Sequence, residues 1–298
     1  MFRNVHIGVD GSPTGREAIA LAIALAEPDA RMTLTHVHGG EISAGGILNR
    51  AFGADGPEAA QRLLEAERDA ARISAELISI CAPSVGRGLH ALAERQAADL
   101  LVVGSHTRGS TRGLMGDDTR GALTLAPCAV AIAPHGHIGR PSGFATVGVG
   151  YDYSSESQVA LAVARELAAH YASKIDALYV VTLPAGTGAS TPGDWAEMLQ
   201  EGREYAQEKL ESAEGVGATT VFGRPSDELA AFSERVDLLV VGSRNYGPIR
   251  RLLLGSTSSS LAGTARCPLL VVPRTATPEM HLAGDDREGS AAPVGRNS

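Results

Sequence analysis

An internal repeat constrains this chain of 298 residues more than any other feature of its sequence. The heptapeptide DLLVVGS at residues 99–105 recurs unchanged at residues 237–243. Three further pairs of landmarks recur in the same order, 137 to 142 residues apart: Asp10 and Asp152, Gly86-Arg87 and Gly223-Arg224, and Cys128 and Cys267. Four landmarks in one order at one spacing indicate a duplication, and each unit has the length of an ordinary domain.

Within each unit, apolar strand-like runs alternate with helical segments. The predicted strands lie near residues 5–9, 32–38, 80–85, 100–103 and 129–133 in the first unit, and near 147–151, 175–181, 218–222, 238–241 and 269–272 in the second. Ser12-Pro13 and Ser154-Ser155 are typical helix starts, and polar-faced helices are expected near 58–80 and 195–213. Strands rich in Val and Leu that alternate with helices predict α/β domains, each with an open parallel sheet covered on both faces.

The two units and their flanks give four expected segments. We place the first domain at residues 1–137, a linker at 138–143, the second domain at 144–275 and a tail at 276–298. The tail is polar and rich in Gly, Pro and charge, so it cannot bury enough apolar surface to order itself. We therefore expect the tail to be disordered.

Composition and charge argue against several classes of protein. The formal net charge of −8 disfavours a protein that holds nucleic acid through its phosphates. The sequence has no uninterrupted apolar run of about 18 residues and no leader-like start, so we expect neither a membrane span nor export. Three cysteines fit a reducing compartment better than a disulfide framework, and these features together predict a cytoplasmic protein.

Candidate binding residues follow the first and fourth strands of each unit, where open parallel sheets bind ligands. Asp10 and Asp152 each follow a first strand; such a carboxylate can accept hydrogen bonds from a ribose or base, or it can cap the next helix. After the fourth strand of the second unit, Gly242 lets the backbone turn sharply and approach a ligand closely. Gly255 and the hydroxyls of residues 256–258 stand where a helix begins, which is either an anion site or an ordinary helix cap.

At these residues the chain resembles the universal stress protein family, across both units. The residues that carry the resemblance are Asp152, the strand at 238–241 and the spacing Gly242-x2-Asn245-x9-Gly255-Ser256. Family members that bind ATP have the similar pattern G-x2-G-x9-G-[ST]. Asn245 replaces the middle glycine, and Asn is the non-glycine residue that most readily adopts a left-handed backbone. The resemblance implies the adenine nucleotide alpha hydrolase-like fold, with strand order 3-2-1-4-5 in each domain.

The resemblance also implies ATP as the ligand, with or without Mg²⁺. In the second unit, the family's contacts to adenosine fall on Asp152 and Val180, and its contacts to the phosphates fall on Gly242, Asn245, Gly255, Ser256 and Thr257. In the first unit, the corresponding residues are Asp10, Val37, Gly104 and Gly116.

The first unit departs from the family pattern at its phosphate-binding residues. Thr107 replaces the middle glycine, and Asp117 stands where the phosphate-binding serine belongs. A carboxylate about 4 Å from a phosphate charge costs on the order of 4 kcal/mol at an effective dielectric near 20, which is roughly a thousandfold in affinity. Only a bridging cation or Arg108 and Arg112 would offset that cost, so we predict weak or no ATP binding here. Asp10 and Val37 remain compatible with an adenosine-like ligand.

The sequence gives little support to dedicated catalysis. No motif supplies a nucleophile with a base or a metal-activated water. His36-x-His38 is an isolated histidine pair without metal-ligand spacing around it, so no metal site is predicted. Cys128 and Cys267 are expected to be small buried residues at strand starts.

We therefore expect a regulatory, stress-response protein that uses ATP as a ligand, mainly through its second domain. A slow ATPase or phosphotransferase, and a scaffold that works without nucleotide, remain alternatives. The resemblance further implies pairing through the last strand of each domain, either within the chain or in a homodimer. We also expect a protein partner whose binding ATP regulates.

Overall fold

The computed structural model describes residues 1–38, 56–105, 120–122, 124, 126–136, 143–182, 200, 204, 215–243 and 255–273. Ten strands lie in these residues: β1 (Phe2–Gly8), β2 (Ala26–His38), β3 (Glu76–Cys81), β4 (Leu100–Gly104), β5 (Ala129–Ala133), β6 (Thr146–Gly150), β7 (Lys174–Val181), β8 (Val216–Phe222), β9 (Leu238–Gly242) and β10 (Leu269–Val272). Six helices with defined bounds lie in the same residues: α1 (Pro13–Leu25), α2 (Pro57–Ala71), α3 (Val85–Arg95), α4 (Ser155–Tyr171), α5 (Pro225–Phe232) and α6 (Ser256–Thr264).

The strands form one sheet with the order β3-β2-β1-β4-β5-β10-β9-β6-β7-β8. Within each half the strands are parallel and follow the order 3-2-1-4-5, which confirms the predicted fold. The halves meet where β5 pairs with β10 in antiparallel register, with Ala131 opposite Leu270. The pairing through last strands therefore occurs within the chain. A homodimer through the same strands would have to separate this pair, since β5 and β10 are also bonded to β4 and β9.

Helices cover both faces of the sheet because its strands are apolar on both sides. Adjacent residues of a strand point to opposite faces, so Leu101 and Val102 of β4 enter different cores, as do Leu239 and Val240 of β9. Residues of α1, α2 and α4 pack on the face of Val102, and residues of α3, α5 and α6 pack on the face of Leu101. Each core contains residues from both halves, so the apolar interior continues across the β5–β10 junction.

Serine caps start the first helix of each half, as predicted. The Ser12 hydroxyl accepts a hydrogen bond from the Gly15 amide at 3.2 Å, and Pro13 occupies the first helical position. The Ser154 hydroxyl accepts from the Ser157 amide at 3.1 Å. Each cap satisfies one amide that the helix itself cannot, which is worth about 1 kcal/mol. These caps fix the direction in which α1 and α4 leave the sheet.

Two elements of the first half begin or end at residues other than those predicted from the sequence. The third strand was predicted at 80–85, but β3 ends at Cys81. Ser84 caps α3, whose first turn contains Gly86-Arg87. The helix predicted at 58–80 ends at Ala71, because Arg72 adopts a left-handed backbone with φ of 54° and ends the helix. The predicted helix at 195–213, the linker at 138–143 and the tail at 276–298 lie wholly or mostly outside the described residues. Among the described helices, none combines the length and the apolar character needed to span a membrane.

Candidate functional site

A cavity of about 350 Å³ opens at the carboxyl edge of β6, β7 and β9 in the second half. Its wall contains five of the residues predicted from the sequence: Asp152, Val180, Gly242, Gly255 and Thr257. Ser256, also predicted, is the first residue of α6 and lies between two of them in the chain. Asn245 lies outside the described residues. Four separate segments of the chain thus converge on one cavity, at the edge where open parallel sheets bind ligands.

Gly242 lies at the floor of this cavity, at the end of β9. A Cβ at Gly242 would lie 2.5 Å from the main-chain oxygen of Glu156, in the first turn of α4. Real side chains do not tolerate this distance, so only glycine lets β9 and α4 touch backbone to backbone. The sequence predicted that the backbone at Gly242 approaches a ligand closely; the structure shows a close approach to α4 instead, which the sequence did not predict.

Asp152 positions the helix cap rather than acting as the cap. Its carboxylate accepts hydrogen bonds from the amide of Ser154, at 3.2 Å, and from the Ser154 hydroxyl, while Ser154 itself caps α4. Asp10 does the same for Ser12, with distances of 3.0 and 2.6 Å. The alternative in which these carboxylates cap the helix directly is therefore wrong. Asp152 is exposed and lines the cavity, where it can also accept hydrogen bonds from a ligand.

The start of α6 forms the opposite wall of the cavity. Gly255 is the N-cap, and no side chain among the described residues bonds the first amides of this helix as a cap. Thr257 and Ser258 of the first turn line the cavity together with Gly255. The amides of the first helical turn and the helix dipole both favour an anion at such an end. The geometry suits a phosphate at α6 and a polar, uncharged group near Asp152.

Glu156 is a cavity residue that the sequence reasoning missed. It lines the cavity from the first turn of α4, and its Oε2 accepts a hydrogen bond from the Ser155 hydroxyl at 2.9 Å. The sequence contained a signal for Glu156, because it follows Asp152 by four residues, about one helical turn, and such a spacing brings two side chains close together. Among the cavity-lining residues that the structure describes, Asp152 and Glu156 are the charged ones, and both are acidic.

Apolar side chains form the remaining wall, which the sequence reasoning also left unassigned apart from Val180. Leu178, Leu229 and Val241 line the cavity beside Val180. Such a wall can pack against the face of a flat ring, while the polar groups fix its orientation.

Three tyrosines pack at the carboxyl ends of β6 and β7, beside the cavity. The ring of Tyr153 lies 5.0 Å from that of Tyr151 and 5.1 Å from that of Tyr179. Tyr153 has a left-handed backbone with φ of 64°, a conformation that costs a bulky residue about 1–2 kcal/mol. Burial raises the pKa of Tyr151, which also lines the cavity. The corresponding residues of the first half are Val9, Gly11 and His36, so this aromatic cluster is specific to the second half.

The first half has a smaller cavity at the equivalent place. Its volume is about 70 Å³, and its wall contains the predicted residues Asp10, Val37 and Gly104. A Cβ at Gly104 would lie 2.4 Å from the main-chain oxygen of Thr14, which repeats the contact of Gly242 with Glu156. Gly116, the remaining predicted residue, lies outside the described residues, as do Thr107 and Asp117.

The other sequence candidates have structural roles. His36 contacts the main-chain oxygen of Val9 through Nδ1 at 2.8 Å. In the part of the chain that the structure describes, no group of three or more His, Cys, Asp or Glu side chains could hold a metal ion. Cys128 and Cys267 are buried, as predicted, and burial raises the pKa of Cys128 to about 12, so its thiol is unreactive at neutral pH.

Comparisons with known proteins agree with this architecture. The model of the universal stress protein family matches the chain twice, at residues 1–134 and 143–273. A universal stress protein of Mycobacterium tuberculosis is 32% identical over 182 residues, which span 58% of this chain and 61% of that protein. A universal stress protein of Methanocaldococcus jannaschii is 33% identical over 131 residues, covering 41% of this chain and 77% of that protein. The crystal structure of a universal stress protein from Archaeoglobus fulgidus superimposes with a TM-score of 0.62 and 19% identity, and covers 91% of this chain and 98% of that one.

Proposed function

Since the chain belongs to the universal stress protein family, we propose that its second half binds ATP as a regulatory ligand in a stress response. The observation that carries the proposal is the cavity that joins Asp152, at the end of β6, to the start of α6. Adenosine would lie against Val180 and the apolar wall, with Asp152 accepting hydrogen bonds from it. The phosphates would lie at Gly242 and the first amides of α6.

The size and chemistry of the cavity support this assignment. Its volume of about 350 Å³ lies within the range of about 300–1,000 Å³ that is typical of small-molecule sites. One side offers an apolar surface for a base, and the other offers helix amides for an anion. A nucleotide is the common metabolite class that carries a flat base at one end and phosphate at the other.

The acidic residues of the cavity favour a nucleotide that arrives with a cation. Asp152 and Glu156 supply carboxylate oxygens, which are the donors that Mg²⁺ prefers. A bound Mg²⁺ would neutralise phosphate charge. The donor set therefore fits an ATP–Mg²⁺ complex better than free ATP.

Slow ATP hydrolysis is the second candidate, and Glu156 favours it. A carboxylate beside a phosphate site can orient or deprotonate an attacking water. This candidate is distinguished by Mg²⁺-dependent release of ADP by the purified chain, which must be lost in Glu156→Gln while ATP binding persists. ADP release that persists in Glu156→Gln would contradict this role of Glu156.

Mass spectrometry of small molecules released from the freshly purified, denatured chain gives the first test. We expect ATP, in an amount close to one molecule per chain. Titration calorimetry gives the second test, with Asp152→Ala and Gly255→Glu as variants. Gly255→Glu brings a carboxylate to the phosphate site and should weaken ATP binding about a thousandfold.

The first half offers a matched control. Asp10→Ala makes the same chemical change as Asp152→Ala at the equivalent place, and it should leave ATP binding unchanged. No heat with the wild-type chain, or equal effects of Asp10→Ala and Asp152→Ala, would overturn the proposal. The absence of heat would favour a scaffold that works without nucleotide.

A further inference from the structure

We propose that Gly86 and Gly88 of α3 close the pocket of the first half, and that they thereby determine which half admits a nucleotide. The two glycines let α3 lie against Val37 and against the helical residues 120–122 at distances that a larger residue does not permit. This inference rests on the proposed function and deepens it, because it names residues that restrict ATP to the second half.

The two halves place the helix beside the pocket in the same register, which is α3 in the first half and α5 in the second. A Cβ at Gly8 of β1 would lie 3.2 Å from a methyl group of Leu89, and a Cβ at Gly150 of β6 would lie 3.2 Å from a methyl group of Leu229. Leu89 and Leu229 also line the two cavities. The first two turns of α3 and α5 can therefore be compared position by position, starting from these leucines.

Gly88 lets α3 cover Val37, the residue predicted to contact adenosine in the first half. A Cβ at Gly88 would lie 2.9 Å from a methyl group of Val37 and 3.0 Å from the Cβ of Ala82, which is too close for a real Cβ. Glu228 takes the position of Gly88 in α5, so α5 cannot lie equally close to Val180. Val37 is accordingly only 8% exposed, whereas Val180 is half-buried.

Gly86 makes a second close contact, with Gly121. A Cβ at Gly86 would lie 2.4 Å from the carbonyl carbon of Gly121, so α3 and the helical residues 120–122 touch through their backbones. Ser226 takes the position of Gly86 in α5, and the Cβ of a serine rules out such a contact. Gly86 is buried, and Ser226 is half-buried.

His90 fastens the same two segments one turn further along α3. Its Nε2 contacts the main-chain oxygen of Ala122 at 2.7 Å. Ala230 takes the position of His90 in α5 and has no ring with which to make this contact. The first half therefore holds its helix in place with a contact that the residue at this position of the second half cannot form.

The cost of glycine in a helix indicates that packing determines these positions. Glycine is less favourable than alanine in a helix, because it loses more conformational freedom on folding, yet two of the first four residues of α3 are glycines. The cavity that remains beside α3 is about 70 Å³, against about 350 Å³ beside α5. Small-molecule sites usually have at least about 300 Å³. The position of α3 thus excludes a nucleotide independently of the charge at Asp117.

Hydrogen exchange of the full chain, measured by mass spectrometry, tests the closure without any nucleotide. Gly88→Ala should lift α3 from Val37 and speed the exchange of α3 several-fold, although alanine by itself favours a helix. Gly56→Ala is the matched control, because a Cβ at Gly56 would meet no atom within 4 Å, and it should leave α3 unchanged. Equal exchange of α3 in the two variants would overturn the inference.

The reciprocal change in the second half uses ATP as the probe. Ser226→Gly combined with Glu228→Gly removes the Cβ atoms that keep α5 away from Val180, and it should weaken ATP binding about tenfold or more in calorimetry. Ser226→Ala combined with Glu228→Ala keeps those atoms and should bind ATP at least as well as the wild-type chain. Closure should also slow the exchange of α5 in the glycine variant, whereas added flexibility alone would speed it and would contradict the inference.

Asp117→Ser separates the closure from the effect of charge. This variant should still have one ATP site per chain, because α3 continues to cover Val37. A second ATP site would overturn the inference and leave the proposed function standing. Absence of ATP binding by the wild-type chain would overturn the proposed function, while the exchange of α3 in Gly88→Ala still decides whether the glycines close the first half.

Discussion

Gly242 and Glu156 touch through their backbones, because a Cβ on Gly242 would lie 2.5 Å from the Glu156 carbonyl oxygen. Gly104 and Thr14 make the same contact in the first half, at 2.4 Å. In both halves the fourth strand and the first helix are therefore held at backbone distance. In each half, the two residues in contact also line the cavity.

Gly242→Ala should destabilise the chain and weaken ATP binding together. The added methyl group meets main-chain atoms, which cannot move aside without shifting α4, and overpacking of this kind costs about 1–3 kcal/mol. Unfolding in urea measures the loss of stability, and calorimetry measures the loss of affinity. Gly8→Ala, in the first half, is the control: its nearest atoms are side-chain carbons of Leu89 and Val103 at 3.2 and 3.4 Å, which can adjust. Equal losses in the two variants would refute the backbone explanation.

Tyr171→Phe should loosen the contact between the two halves. The Tyr171 hydroxyl in α4 donates a hydrogen bond to the main-chain oxygen of Ala24 in α1, and its ring packs edge to face on Phe144. Removal of the hydroxyl should cost about 0.5–1.5 kcal/mol while the ring packing remains. Urea unfolding measures the change, and an unchanged midpoint would contradict a role for this hydrogen bond.

The same tyrosine predicts a loss of stability in alkali. Burial raises the pKa of Tyr171 above its ordinary value of 10.0, so the folded chain holds the phenolic proton more tightly than the unfolded chain does. This contribution is fully present below pH 10 and is lost as the pH rises through the folded-state pKa. The unfolding free energy should therefore fall less steeply above pH 10 in Tyr171→Phe than in the wild-type chain. Parallel pH profiles for the two proteins would contradict the prediction.

His6 predicts a loss of stability in mild acid. Its side chain is 1% exposed, and neither ring nitrogen has a hydrogen-bond partner among the described residues. Burial, and to a lesser extent the charge of Arg31, lowers the pKa of His6 from 6.5 to about 4. The unfolded chain takes up a proton below pH 6.5 and the folded chain resists it until about pH 4, so stability falls across that interval.

His6→Leu should flatten the stability profile between pH 6.5 and 4, because the unfolded chain then has no imidazole at this position to take up a proton. Thermal or urea unfolding at several pH values measures the difference. His170→Leu removes an exposed histidine and should leave the profile unchanged. A wild-type profile that is already flat would show that His6 does not control it.

The sequence alone predicted the features of the fold that depend on local patterns of residues. The repeated heptapeptide predicted two units, the Val-rich strands predicted a parallel sheet, and Ser12 and Ser154 predicted two helix starts that the structure confirms. These features depend on residues close together in the chain, or on a pattern that recurs. Asp152 and Gly255 were found in the same way, since each follows or begins a regular element.

What sequence reasoning missed depends on neighbours across the sheet. A Cβ at Gly148 would lie 2.8 Å from the ring of Phe232, and His6 fills the equivalent position in the first half. Nothing in the local sequence pairs Gly148 with Phe232, because α5 and β6 are distant in the chain.

Glu156→Gln tests whether the acidic cavity selects a cation-bound nucleotide. Glu156 and Asp152 are acidic residues that both line the cavity a triphosphate would enter. Two unit charges about 8 Å apart interact by about 2 kcal/mol at an effective dielectric near 20, so removal of the Glu156 charge should tighten binding of ATP without Mg²⁺ about tenfold or more. With Mg²⁺ present, the cation offsets the repulsion between the Glu156 carboxylate and the phosphates, so the variant should bind ATP about as well as the wild-type chain or less well.

Calorimetry with ATP, in the presence of either Mg²⁺ or a chelator, measures both affinities. Thr14→Val alters the equivalent position of the first half and should change neither. Equal effects of Glu156→Gln with and without Mg²⁺ would mean that the charge of Glu156 does not act on the phosphates.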